Sequence, residues 1–334
     1  MDHLPSVSVV IPTCGRPQFL REALASVAAQ THRPQQVIVV EDGEGAGMAN
    51  IEASAPVQVI AGPRRGPGAA RNAGLEAARG ELVAFLDDDD LWHPQKLALQ
   101  VEWFGRRTRL GLLGTGAVRG CSPSWTAKAG RSRRRRLSTV SATALIRANR
   151  LVTSSVIVRR ECFRECGGFA ESLVLAQDWD MWLRIAGRWE VAVLPASLTF
   201  YRLHDGQRSA SALQMRRWEV EVLHRYVAGR CPRHTLRRPR GACYGGQATG
   251  GQASGDTAWV ARARSAGGLA SAARRRLAWA RCRLGGALLR EGRLAAAAEA
   301  LRTSVRENPL GLLAWARLAQ CRLARRELPG EQQI

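Results

Sequence analysis

The chain opens with a β-branched run, Ser6-Val7-Ser8-Val9-Val10-Ile11, that stops at Pro12. A short apolar run bounded by a breaker predicts a buried strand. An amphipathic stretch from Phe19 through Leu24 to Val27 and Ala28 predicts a helix after it. The pattern then repeats: strands over Val37–Val40 and Val57–Ile60, a helix over Ala69–Ala78, and a strand over Leu82–Leu86. Strands alternating with helices at this spacing imply a mostly parallel sheet covered on both faces. Ligands bind such sheets beyond the carboxyl ends of the strands. Thr13, Asp42 and Asp87 fall at those ends.

From about Phe104 to Arg150 the pattern weakens, with Gly111, Gly114, Gly116 and Gly120 followed by Arg131–Arg136. It reads as a loop with one embedded strand. Order returns as a strand over Ser154–Val158, a helix over Glu161–Cys166 closed by Gly167-Gly168, a helix over Asp178–Ala186, and a strand over Val191–Leu194 before Pro195. After about Val227 the composition changes. Residues 230–256 are rich in Arg, Gly, Pro and Ser and read as a linker. Ala272 to Ala324 is Ala/Leu/Arg-rich with helical periodicity, and Leu288–Leu294, Ala297, Ala300-Leu301 and Asn308-Pro309 resemble a tetratricopeptide helix pair. A single repeat cannot bury its own face, so the expectation is a helical cap packed on the main domain.

With 334 residues, 46% of them hydrophobic, the chain has room for one sizeable domain plus an appendage. No apolar run approaches the ~20 residues that span a bilayer. Met1-Asp2-His3-Leu4-Pro5 has no basic leader pattern, so the expected location is cytoplasmic. The net charge of +22 is almost all arginine, Lys96 and Lys128 being the only lysines. It is compatible with attraction to polyanions, and equally with arginine used as a helix former. The Arg131–Arg136 cluster reads either as a contact for anionic lipid or as a solvated loop. None of the eight cysteines forms a CxxC pair, which leaves free thiols and no disulfides as the expectation.

Asp87-Asp88-Asp89-Asp90 follow directly on an apolar strand. Adjacent carboxylates repel one another unless a cation or donors offset them. Mg²⁺ and its relatives take oxygen ligands, often one or two carboxylates plus substrate phosphates. The bland alternative is an acidic loop leading into the next helix at Trp92-His93-Pro94.

These segments together resemble the family 2 inverting glycosyltransferases. The resemblance runs from Val7–Thr13, Arg16, Ala23–Val27 and Gln30-Thr31 through Val37–Gly43, Gly68–Gly74, Phe85–Asp90 and Pro94–Leu97. It continues in Ser154–Arg160, Gly167-Gly168-Phe169, Gln177–Arg184 and Tyr201–His204, and so covers about residues 5–210. It implies an α/β fold of GT-A type: a mixed, mostly parallel sheet with flanking helices, plus a C-terminal helical extension. The domains would be 1–228 (GT-A), 229–260 (flexible linker) and 261–334 (helical, tetratricopeptide-like).

The resemblance further implies a nucleotide-diphosphate sugar donor, a UDP-sugar first, with Mg²⁺ or Mn²⁺. Pro12, Thr13, Arg16, Asp42, Arg71, Asp87 and Asp88 would line the nucleotide-sugar site. Among them Thr13 and Asp42 would meet the base, Arg71 the nucleotide or its phosphates and Asp88 the ribose or sugar. Asp89 would bind the metal. His204 would reach the metal or diphosphate, and Arg202 and Arg208 the diphosphate. Asp178 matches the catalytic base, with Asp180 as a rival. Trp179 and Trp182 after it are either an acceptor platform or core. The chain departs from the family at Gln177, where Glu is usual, and at Glu41 and Glu44. The acceptor would be a glycan or lipid-linked hydroxyl in cell-surface polysaccharide or glycoconjugate synthesis, with the enzyme cytoplasmic or peripheral at the inner face of the membrane. Nucleic acid is not expected, since Trp92, Trp179 and Trp182 sit beside acidic motifs rather than basic ones. Two competing readings are a polyanion-binding scaffold and a nucleotidyltransferase. The latter would want a phosphate-binding Lys near the first strand, which Thr13-Cys14-Gly15-Arg16 lacks.

Overall fold

A computed structural model of the chain describes residues 4–43, 57–121, 136–207, 211–229 and 267–326. Four strands, β1 (Val7–Thr13), β2 (Gln36–Glu41), β3 (Val57–Ala61) and β4 (Leu82–Phe85), lie parallel in the order β3-β2-β1-β4. β1 and β4 are buried at every position, as continuous apolar runs in a doubly covered sheet should be. Between them run α1 (Pro17–Ala28) and α2 (Pro67–Ala77), each opened by a proline whose missing N–H costs nothing there. α1 buries Leu20, Ala23, Leu24 and Val27, the single apolar stripe its sequence carries.

The sheet continues past β4 through β8 (Ile157–Arg159), β6 (Leu110–Gly120), β9 (Glu190–Arg202) and β5 (Leu91–Trp92), while β7 (Ser138–Thr139) pairs with β9. β8 is antiparallel to both neighbours and β6–β9 is a long parallel pair, so the sheet is mixed and its longer ladders are parallel. One face packs Ile11, Leu20, Leu24 and Leu86 with Leu97, Val101 and Phe104 of α3 (Lys96–Arg106). Elsewhere Phe85, Phe163, Phe169 and Trp182 form edge-to-face contacts at 5.2–6.0 Å between centroids. That cluster fixes α5 (Arg160–Cys166) and α6 (Gln177–Ala186).

The stretch read as a loop contains more than one strand. β6 runs unbroken from Leu110 to Gly120, and α4 (Ala142–Arg147) follows with its Ser141 side chain capping the Ala144 amide. Its glycines mask the strand pattern for a tertiary reason: a Cβ on Gly111 would stand 2.4 Å from Trp189 Cβ, and one on Gly114 2.7 Å from Leu151. The strand expected over Ser154–Val158 starts only at Ile157. Thr153–Ser155 is a 3-10 turn instead, its Ser155 amide and hydroxyl both donating to the Val152 carbonyl. β9 continues through Pro195 to Arg202. Its register with β6 shifts there, the irregularity that tolerates a proline in a central strand.

A second compact unit begins at Gly206. It contains α7 (Ala212–Ala228), α8 (Gly267–Arg290), α9 (Leu294–Glu307) and α10 (Leu312–Arg326). α7 thus groups with the helices rather than with the expected 1–228 domain. Its Arg216 donates to the Arg283 carbonyl and its Glu219 pairs with Arg276, tying it to α8. Gly292, at φ +70°, ends α8 in the left-handed conformation that glycine favours. Most of the expected linker, and Arg131–Arg135, lie outside the described residues. No described helix is long and apolar enough to cross a membrane. Of the described cysteines, Cys162, Cys166, Cys282 and Cys321 are buried and Cys14 and Cys121 exposed.

Candidate active site

The four aspartates after β4 fan out in different directions, because the Asp90 amide turns back onto the Asp87 carbonyl at 3.0 Å. Asp87 faces Arg71, whose guanidinium donates to Oδ1 at 2.5 Å. Asp88 is fully buried and accepts from Thr13 Oγ1 at 2.7 Å and from Arg16 on both oxygens. Asp89 Oδ2 accepts from Arg16 at 2.7 Å and lies 3.0 Å from His204 Nε2. Asp90 points inward, accepting from Ser154 Oγ at 2.5 Å and the Arg202 amide at 3.0 Å. Burial pushes the Asp88 carboxyl up to about 6 against the pull of Arg16 and Thr13, and holds Asp90 well above the usual range. Asp90 is thus a structural tie, Asp88 is buried beneath Thr13 and Arg16, and Asp87 and Asp89 keep part of their side chains open.

Around this turn stand the ends of the parallel strands. Thr13 closes β1, and Pro12 before it is buried in the strand, positioning Thr13. Asp42 follows β2 and accepts the amides of Arg64 at 2.6 Å and Gly66 at 2.9 Å. It therefore shapes the loop that starts α2, where Arg64 at φ +56° is held in a left-handed conformation. α2 in turn carries Arg71, buried with its charge 5.7 Å from the Phe169 ring centre.

Asp178 sits in the first turn of α6, just after Ala176 at φ +59°. Its Oδ2 accepts from Asn149 Nδ2 at 3.0 Å and Thr153 Oγ1 at 3.2 Å, and its Oδ1 from the Trp179 amide at 2.7 Å. Burial raises its pKa, and the Arg71 charge and the Trp179 and Asn149 donors offset part of that rise. Asp180, the rival, is buried and bound to Arg184 at 2.8 Å, so it is a structural ion pair. Trp179 donates its indole N–H to the Leu145 carbonyl and Trp182 is core, which leaves neither as an exposed platform. Gln177 is buried too.

Thr153 and Ser154 are adjacent on one 3-10 turn and serve both halves of the site. Thr153 holds Asp178, while Ser154 donates to Asp90 and accepts the Asp87 amide at 3.0 Å. These two and Asn149 were missed by sequence reasoning. No spacing rule marks a hydroxyl or amide that serves a carboxylate 25–64 residues away. Arg202 is engaged with the Asp89 carbonyl, Glu22 and the Phe19 ring, which makes it a strut under the turn. Arg208 and Glu44 lie outside the described residues.

Among the described residues no group of three or more His, Cys, Asp or Glu side chains forms a protein-only metal cage. The pair Asp89–His204 fits a divalent ion that completes its shell with phosphate oxygens and water. Its carboxylate and imidazole atoms converge to 3.0 Å, and a guanidinium already gathers on the same oxygen, marking a place that attracts a cation.

The family model for Glycosyl transferase family 2 matches residues 8–166. An uncharacterized glycosyltransferase of Nostoc is 37% identical over 113 residues, covering 32% of this chain and 35% of the relative. The succinoglycan biosynthesis protein ExoW of Rhizobium meliloti is 43% identical over 104 residues, covering 28% and 32%. The chain thus spans about a third of the length of these two curated relatives. Among solved structures, the mannosyltransferase PcManGT of Pyrobaculum calidifontis, in complex with GDP-Man and Mn²⁺, is similar with a TM-score of 0.55 at 19% identity, over 96% of this chain and 80% of that one. S. aureus TarS 1–349 in complex with UDP-GlcNAc gives 0.53 at 16%, over 95% and 89%. At these identities the likeness shows a shared fold, the GT-A type.

Proposed function

The chain belongs to glycosyltransferase family 2 through residues 8–166, and from that premise we propose that it moves a sugar from a nucleotide-diphosphate donor to an acceptor hydroxyl with inversion. The observation that carries this is the turn Thr153-Ser154. It presents Asp178 and the Asp87–Asp89 cluster to one another, and Arg71 acts on both.

In this reading Thr13, Asp42 and Arg71 hold the nucleotide, with Asp42 accepting from the base beside the amides it already binds. Asp87 and Asp88 face the ribose and sugar, and Arg16 swings from Asp88 and Asp89 toward the diphosphate. Asp178 takes the proton of the acceptor hydroxyl. The freed oxygen forms its bond to the anomeric carbon as the bond to the leaving diphosphate breaks on the opposite side. A carboxyl whose pKa burial has raised is the stronger base for that transfer. Asp89 and His204 would hold Mg²⁺ or Mn²⁺, which when bound offsets charge on the leaving diphosphate.

A UDP-sugar is the first donor to test, since TarS is described with UDP-GlcNAc, although PcManGT is described with GDP-Man. Cell-surface polysaccharide or glycoconjugate synthesis is supported by two relatives named for succinoglycan biosynthesis. A glycan or a lipid-linked acceptor follows from that setting, and the enzyme would work in the cytoplasm or at the inner face of the membrane. The test is release of nucleotide diphosphate from UDP-, GDP- and dTDP-sugars with Mn²⁺, beside calorimetric donor binding. Asp178→Asn should bind the productive donor and fail to transfer it, and Asp89→Ala should lose both metal and turnover. A chain that binds neither metal nor any of the donors would refute the proposal.

A further inference from the structure

α10, the last helix among the described residues, is apolar on two opposite faces. Ala314, Leu318 and Cys321 are buried with Leu301 and Val305 of α9 and Leu288 of α8. Half a turn round the helix, Leu312, Ala316, Ala319 and Leu323 lie open to solvent, Leu312 81% and Leu323 59% exposed. Leu310, Leu313 and Trp315 are also exposed and widen the patch. Opposite its buried face, α10 turns outward an apolar stripe within an arc of roughly 60° at 3.6 residues per turn.

The stripe reads the same in both directions. Its spacings are four, three and four residues, and its order is Leu, Ala, Ala, Leu. A two-fold interface requires that residue i meet j while j meets i. An antiparallel second copy satisfies this on every rung, with Leu312 of one copy on Leu323 of the other and Ala316 on Ala319. The alanines in the middle let the axes approach to about 8 Å, and the leucines seal the ends.

Charge opposes the pairing, since residues 308–326 carry Arg317, Arg322, Arg325 and Arg326 and no Asp or Glu. Salt limits it: in this register the two copies of Arg322 stand roughly 13 Å apart along the axis, beyond the ~8 Å Debye length at physiological salt. The exposed leucines and Trp315 offer on the order of 600 Å² a side, near the lower limit of roughly 1,200 Å² in total for a stable interface. We propose that α10 is a self-association surface on which a second copy of this chain packs its own α10 antiparallel.

Sedimentation of the full chain across 1–100 µM tests this. The wild type is expected to shift from monomer to dimer within that range. Leu312→Glu and Leu323→Glu, each at an exposed position, should remain monomeric with unchanged circular dichroism. The double variant Leu312→Glu/Leu323→Lys should dimerise again, because each introduced carboxylate then faces an introduced ammonium on the other copy. A wild type that stays monomeric at 100 µM overturns the proposal, and if it also co-sediments with phosphatidylglycerol vesicles, a lipid surface is the occupant instead. Dimers that survive both single variants, or a double variant that fails to recover, overturn it as well.

Discussion

His204 and Asp89, 115 residues apart in the chain, meet with Nε2 3.0 Å from Oδ2. β9 and the turn after β4 bring them together, and Arg202, two residues before His204, braces the same turn by donating to the Asp89 carbonyl at 2.9 Å. If this pair is a metal site, His204→Ala should weaken Mn²⁺ binding about tenfold or more, by analogy with the loss seen when groups supporting a metal are removed. Mn²⁺ paramagnetic resonance measures this with nucleotide present and without turnover. Unchanged affinity would assign His204 to packing against Phe19, whose ring centre lies 5.2 Å away.

With Asp178 as the proposed base, Asn149, which donates to it at 3.0 Å, should set the acid limb of the pH profile. Asp178 must be deprotonated to act as a base, and burial raises its pKa, so activity should fall at a higher pH than an ordinary carboxylate would give. The Asn149 donor favours the charged form. Asn149→Ala should therefore move the limb of kcat/KM further up, with KM for the donor little changed. A profile that stays in place while kcat falls would reassign Asn149 to folding alone.

Lys96 is completely buried, 4.1 Å from the Trp92 ring centre, and its Nζ has no hydrogen-bond partner among the described residues. Burial lowers its pKa well below the usual value. Between that lowered value and the unfolded one the unfolded chain binds the extra proton, so stability rises with pH across this window. Lys96→Met should stabilise the protein by about 1–3 kcal/mol near neutral pH, the cost of a buried polar group without a partner. The gain should shrink as pH approaches the unfolded amine's range. Urea titrations of both proteins at two pH values would show it, and a destabilised variant would mean that the amine has a partner in solution.

Gly111→Ala should destabilise the sheet domain by about 1–3 kcal/mol, the usual cost of overpacking. The new methyl would meet Trp189 Cβ at 2.4 Å and Cys162 Sγ at 2.8 Å. Gly15→Ala is the contrasting case, because its Cβ would meet nothing and only the backbone at φ +65° resists. A smaller loss at Gly111 than at Gly15, measured by thermal denaturation, would contradict this account.

The sequence by itself determined the parallel half of the sheet, the helices α1, α2, α5 and α6, and the resemblance to the family whose model matches residues 8–166. Those elements are local: a β-branched run, an apolar stripe or a proline at a helix start acts over a few residues and leaves its period in the chain. It also determined which aspartates to inspect, since four carboxylates ending a buried strand conflict with local preference and so point to a site. Only the tertiary structure decided what each aspartate does. Asp90 became a buried tie because Ser154 and the Arg202 amide reach it from distant elements, and Asp180 was withdrawn as a base because Arg184 claims it. Asn149 and Thr153 entered for the same reason, as did β6, whose glycines answer to Trp189 and Leu151 rather than to their neighbours in sequence. Hydrogen bonds to carboxylates and close backbone approaches depend on distances that chain spacing does not encode, and the packed sheet is what sets them.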